Sequence, residues 1–389
     1  MADLFTTLGV HTAGESHGPA LVGILEGLPA GLELDQETLD RDLARRQMGY
    51  GRGKRMQIEQ DRMEIVAGVR FGRTLGSPLA VIIRNRDFEA WHERMAVFGP
   101  PLAKPVTRPR PGHADLAGGM KYQAYADLRN ILERASARET ATRVALAAFA
   151  RAFLAALGVR VIGQVVALGG VEAIPCDPFG PGVPERLEAS QVRTADPGDE
   201  MAMIANIDGA KQAGDTLGGV IEVWARGVVP GIGSHVTMAR RLDARLAAAL
   251  VSVQALKGVE IGDAFAAADG PGSEAHDEIV RDELGVHRQT NRAGGIEGGI
   301  SNGEDIIVRS AMKPLSTLIR PLQSIDLTTG EAIKAAVERS DVTAVPAAAV
   351  VAEAMVCLVL ADAYLEKFGG DSMEEVRRNL AAYRASLYR

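Results

Sequence analysis

The eighteen residues from Gly14, GESHGPALVGILEGLPAG, return without a gap from Gly214 as GDTLGGVIEVWARGVVPG. The pairing lays Gly14 on Gly214, Glu15 on Asp215, Ser16 on Thr216, and Gly18, Gly27 and Gly31 on Gly218, Gly227 and Gly231. Two more matches follow in the same order. GRTLGSPLAVIIRN (72–85) resembles GGISNGEDIIVRS (298–310), and ILERASARETATRVALAAFA (131–150) resembles AVERSDVTAVPAAAVVAEAM (336–355), setting Glu133-Arg134 against Glu338-Arg339. Ordered self-similarity constrains a fold strongly, because each copy has to build the same supersecondary unit. The expectation is an ancient duplication within one domain: halves of about 1–158 and 200–370, joined through 159–200 and related by a pseudo-twofold. Two positions break the repeat, since His17 is matched by Leu217 and Asp341 by Ser136. Side chains that differ on a repeated scaffold are where chemistry is sought.

Local signals place elements within each half. Gly14 to Gly31 reads as a strand between tight turns, and Asp35 caps a helix, DQETLDRDLARRQ, with acids in its first turn and arginines in its last. Ile58–Ile65 and Leu79–Ile83 read as strands, with a mobile or ligand-wrapping glycine loop from Gly49 to Arg55 before them. Apolar spacing at Leu128, Ile131, Leu132, Val144, Leu146 and Phe149 predicts one helix from near Asp127 to Gly158. PAAAVVAEAMVCLVLADAYL predicts a second helix apolar enough for a buried layer. Residues 262–295 form a polar excursion whose His276 and His287 are expected to be solvated. With 47% hydrophobic but only 4% aromatic residues, the interior has to be built from Ala, Val, Leu and Ile.

The stretch from Arg108 to Arg143 sets seven Lys or Arg and His113 across a Pro-stiffened loop and a helix, an arrangement suited to holding an anion. Nine Lys or Arg stand against four Asp or Glu between Arg41 and Arg73, and eight against four between Lys104 and Arg143, in a chain of net charge −7. Positive charge gathered into two blocks of an acidic chain argues against nucleic-acid binding and for a small polyanion in a pocket. Cys176 and Cys357 have no metal-ligand spacing, so no metal site is expected. The N-terminus shows no leader pattern, and the reading is a cytoplasmic protein without a membrane partner.

Familiar motifs fail on inspection. Gly14-Glu15-Ser16-His17-Gly18 satisfies G-x-S-x-G, but a nucleophile elbow needs a helix after the serine and a strand pattern follows here. GYGRGKR carries Arg55 where a P-loop needs Ser or Thr, and no G-x-G-x-x-G opens a βαβ unit.

Together GESHGPALVGILEG, RRQMGYGRGKRM, RPGHAD, ERASARETATRV, SVQALKGVEIGD, GGIEGGISNG, KPLST and ERSDVTAVPAAAVVAEA resemble the chorismate synthase family, in order across nearly the whole chain. The resemblance implies an α+β sandwich of long helices between two antiparallel sheets, one per half, assembled as a homotetramer. It implies a lyase that converts 5-enolpyruvylshikimate 3-phosphate to chorismate and phosphate by 1,4-anti elimination, using reduced FMN without net redox change.

By the same resemblance Arg46, Arg52, Arg110 and Arg138 would line the substrate pocket, as a ligand with one phosphate and two carboxylates requires. His17 would stand near the leaving phosphate, His113 near the flavin, and Asp341 would help remove the C6 proton. FMN would be held by Arg134, Ala135, Ser136, Gln254, Ala255, Gly298, Lys313, Pro314, Leu315, Ser316, Thr317 and Arg339. The Arg46 and Arg52 positions are assigned to NADPH in some members. With no independent dinucleotide motif, NADPH is expected only as an indirect source of electrons, through a separate flavin reductant. A metabolite-binding protein without chemistry would keep the arginines but has no use for His17, His113 and Asp341 together.

Overall fold

The computed structural model describes residues 4–52, 60–100, 104–283, 285–338 and 341–388. Two mixed or all-antiparallel layers are possible for such a strand set, and the pairing is antiparallel throughout both main sheets. The first is built from β1 (Gly9–Ala13), β2 (Ala20–Glu26), β3 (Glu64–Ala67) and β4 (Leu79–Arg84), in the order β1-β2-β4-β3. Strand β2 pairs with β4 through Val22↔Ile82 and Leu25↔Leu79. The second contains β5 (Arg160–Leu168), β6 (Val171–Glu172), β7 (Gly219–Arg226), β8 (Leu256–Ile261) and β9 (Ile306–Met312), in the order β8-β9-β7-β5-β6.

The helices are α1 (Gln36–Gln47), α2 (Asp115–Tyr122), α3 (Arg129–Ala135), α4 (Thr140–Ala156), α5 (Val183–Ala189), α6 (Pro197–Ala213), α7 (Leu242–Val251), α8 (Val345–Phe368) and α9 (Met373–Ser386). Helix α4 lies on β2 and β4, α8 lies on β5 and β7, and the two helices pack on each other. The close approaches depend on missing side chains. A Cβ on Gly23 would come within 2.7 Å of Thr142, and one on Gly163 within 2.9 Å of the Ala349 carbonyl and the Glu353 side chain. Alternation on β2 and β4 turns Leu21, Leu25, Leu79, Val81 and Ile83 inward onto Val144, Phe149 and Phe153. Helix α8 is long and apolar enough to cross a membrane, yet it is buried inside the protein.

Two charged residues of α8 are buried with it. Glu353 accepts from Arg45 at 2.8 Å, Arg151 at 2.6 Å, Arg193 at 3.2 Å and the Gly163 amide at 2.8 Å. Burial raises its pKa, but the three guanidinium groups outweigh that and hold it far below the ordinary range. The cluster locks α1 to the central helix through Arg45, one residue before the candidate site residue Arg46.

Several local expectations change. The helix expected from near Asp127 to Gly158 is broken at Ser136, whose ψ of 138° is extended and whose Oγ accepts from the Arg138 amide; a 3-10 turn, Ala137–Glu139, then leads into α4. Ser136 is an N-cap inside a helical pattern, and capping wins over periodicity. The basic loop after Gly112 becomes helix α2. The strand expected at Ile58–Ile65 is Glu64–Ala67 among the described residues, and 53–59, including Arg55, lie outside them. Residues 159–200, expected to be a joint, supply β5 inside the second sheet and helix α5. The excursion at 262–295 holds two short helices and the hairpin Ile279–Asp282 with Gly285–Arg288.

Candidate active site

The broken helix, the first glycine turn, the loop after β9 and the segment leading into α8 meet around a cavity of about 520 Å³. Its lining includes His17, Arg46, Arg52, Arg110, His113, Ala135, Ser136, Arg138, Gln254, Ala255, Lys313, Leu315, Ser316, Thr317 and Asp341, all expected from the sequence. Three expected residues stand elsewhere. Arg134 points to β1, donating to the carbonyls of Gly14 and Thr12, because the chain turns out of the helix just after it. Pro314 is exposed beside the lining residues Lys313 and Leu315, and exposed Gly298 sits in the turn between the short strands Ile296–Glu297 and Ile300–Ser301. Arg339 lies outside the described residues. His276 and His287 do not line the cavity, and His276 is exposed.

Each glycine turn brings one side of the site. In the first, the Ser16 amide donates to the Glu133 carbonyl at 3.1 Å, and the His17 amide to the Glu133 carboxylate at 2.7 Å. The His17 Nδ1 lies 2.9 Å from Glu133 Oε1, and its ring rests on Trp91 with centroids 4.1 Å apart. In the second, the Leu217 amide donates to the Val342 carbonyl at 2.9 Å, and the Val342 amide to Gly51 at 2.9 Å. These bonds set Asp341 against Arg52, Oδ2 to Nη1, at 2.9 Å.

Ser16 is buried and leads into β2 rather than a helix, so the nucleophile-elbow geometry is missing.

Guanidinium groups outnumber their carboxylates at one end. Arg46 bonds Thr140 Oγ1 and the Ala137 carbonyl and reaches Asp61 at 3.4 Å, while Arg138 holds the same Asp61 at 2.6 and 2.7 Å and Asn85 at 2.9 Å. Burial first, then the charges of Arg138 and Arg52, push the Arg46 pKa down to about 10 against the opposing pull of Asp61 and Asp341. An anion entering here relieves that crowding.

At the other end Asp115, fully buried at the start of α2, takes Arg110 Nε at 2.8 Å and His113 Nδ1 at 2.5 Å. Burial raises its pKa, and the bonds from His113 and Arg110 more than reverse this, holding it ionised. Arg110 also donates to Thr317 Oγ1 at 2.9 Å. The Lys313 pKa is lowered by burial and by Lys257. Ala255 takes φ +69°, a left-handed conformation rare for a side chain of its kind, where its carbonyl receives the Lys313 amide at 3.0 Å.

Sequence reasoning passed over Asp61, Trp91, Asp115, Glu133 and Glu338 as site residues. The last two, matched in the repeat, were the available signal: Arg129 bonds both, at 3.5 and 3.4 Å. Among the described residues no group of His, Cys, Asp or Glu is arranged to hold a metal ion.

A profile described as chorismate synthase matches residues 8–365. The chain belongs to the chorismate synthase family. It is 58% identical to the chorismate synthase of Acidothermus cellulolyticus, over 97% of this chain and 98% of that one, and 56% identical to that of Trichlorobacter lovleyi over the same shares. A crystal structure of chorismate synthase superposes with a TM-score of 0.78 at 44% identity, covering 97% of this chain and 98% of that one. The chain is thus a lyase that makes chorismate from 5-enolpyruvylshikimate 3-phosphate with release of phosphate, the last step of the shikimate pathway.

Proposed function

We propose that this elimination takes place in the cavity, with reduced FMN and the substrate bound there together. The observation that carries the reading is the convergence of His17, His113 and Asp341 with four arginines on one cavity, from segments far apart in the chain. The lining also suits a flavin. Gln254 Oε1 and Arg52 Nε are buried with no hydrogen-bond partner among the described residues, and Ala135, Ala255, Ala344, Ala347 and Ala348 give the lining small apolar side chains.

Arg46, Arg52 and Arg138 take one set of substrate anions and Arg110 another, each contact to a charged group contributing roughly 1.5–3 kcal/mol. Reduced FMN, when bound, would supply electron density for breaking the C–O bond without net redox change. His17 donates a proton to the departing phosphate, His113 holds a proton beside the flavin, and Asp341 takes the proton lost from C6. Asp341 is paired with Arg52, which keeps its carboxylate on the cavity wall. Ala135, Ser136, Gln254, Ala255, Lys313, Leu315, Ser316 and Thr317 hold the flavin; the family motifs add Arg134, Gly298, Pro314 and Arg339 to the set, of which the first three stand outside the cavity lining.

The surrounding roles are part of the same reading: a cytoplasmic homotetramer of duplicated sandwich halves, fed with reduced flavin by a separate reductant. Sedimentation gives the assembly, and turnover with NADPH alone in air tests the reductant. The central experiment supplies substrate and photoreduced FMN under anaerobic conditions and follows phosphate. Flavin bound without phosphate release refutes the proposed site chemistry.

A further inference from the structure

We infer that Glu133 is a positioning residue for His17 and fixes which imidazole nitrogen exchanges the proton, which rests on reading His17 as the acid beside the leaving phosphate. The Glu133 side chain is 1% exposed and both its oxygens lie at His17 Nδ1, 2.9 and 3.1 Å away. The same residue accepts the His17 amide on its carboxylate at 2.7 Å and the Ser16 amide on its carbonyl at 3.1 Å. One helix residue therefore holds both the turn and the ring it carries.

An ionised carboxylate accepts hydrogen bonds and cannot donate them, so Nδ1 keeps its hydrogen whether the imidazole is neutral or charged. The change of protonation is confined to Nε2. Glu133 stays ionised because the bonds and charge of His17, helped by Arg129, outweigh the effect of burial. Trp91 covers a face of the ring at 4.1 Å, and Arg129 stands 5.2 Å from the Trp91 ring while reaching Glu133. Imidazole orientation and tautomer are thus set by Glu133 and Arg129, which do not line the cavity, together with Trp91, which does. In the repeat Glu133 is matched by Glu338 and His17 by Leu217, so the second carboxylate has no ring to orient and instead binds Arg129.

The test is a double-mutant cycle read by single-turnover phosphate release. Glu133→Gln keeps the side-chain shape but can turn an NH2 toward Nδ1, which selects the opposite tautomer. The expected result is a loss of at least roughly tenfold in kcat, on the way to the about 10⁴-fold loss of a triad histidine held in the wrong tautomer, with KM and FMN binding unchanged. Added to His17→Ala, the same change costs less than about twofold, since its effect runs through the ring. Losses that multiply independently, or a Glu133→Gln rate within about threefold of the parent, overturn the inference. Near-normal turnover by His17→Ala alone refutes the role of His17 instead. If Glu133→Gln fails to fold, Glu133→Asp keeps the charge on a shorter arm. It is expected to show an intermediate loss that again vanishes beside His17→Ala, and a loss that persists there overturns the inference.

Discussion

Replacing Asp61 with Asn would strip Arg46 and Arg138 of the carboxylate they share. Asp61 is fully buried at its side chain and makes contacts of 2.6, 2.7 and 3.4 Å to the two guanidinium groups. Breaking a buried pair by removing one partner costs about 3–5 kcal/mol, because the remaining charge is left in a dry setting. At an unfolding entropy of about 2.1 cal/mol/K per residue, a chain of this length would lose about 4–6 °C in Tm. The variant should also respond more strongly to an anion. A ligand at a hundred times its Kd returns about 2.7 kcal/mol, and the greater positive surplus in the variant lowers the Kd for phosphate. Thermal unfolding followed by circular dichroism, with and without inorganic phosphate, reads both effects. A variant melting within about 1 °C of the parent, or a phosphate-induced shift no larger than the parent's, would refute the view of Asp61 as the counter-ion of this site.

His113→Ala should slow turnover by roughly 10²- to 10⁴-fold, the range for a lost acid or base, with FMN still bound; stopped-flow phosphate release alongside flavin fluorescence checks it. Glu353→Gln should destabilise the chain at neutral pH. The folded pKa of Glu353 is depressed, so its stabilisation is present above the unfolded value near 4.5 and is lost as pH falls toward the folded one. The gap in urea midpoint between parent and variant should therefore close with acid, and a gap independent of pH would count against the cluster. Burial pushes the Cys357 thiol up to about 12. Ellman's reagent at pH 8 should leave it unmodified in the native protein and reach it in urea, and fast native labelling at Cys357 would contradict a closed core around α8.

The most local features were legible in the amino-acid order: the Asp35 cap, the strand between the Gly14 and Gly31 turns, and a predominantly apolar helix at 345–368. The cationic residues of the site were legible as well, through their crowding into two blocks and their family motifs. Such signals are short-ranged, and neighbours along the chain are enough to create them. The break at Ser136 was hidden because a single cap outcompetes a periodicity it barely disturbs. The partners that give the site its electrostatics were hidden for another reason. His17 and Glu133 stand 116 positions apart, Asp61 and Arg138 77, Arg45 and Glu353 308. Any acid on the chain could have answered these cations as far as composition is concerned. Only the packing of α4 and α8 between the sheets decides which one does, since burial makes a charge stable only beside the counter-charge that geometry delivers.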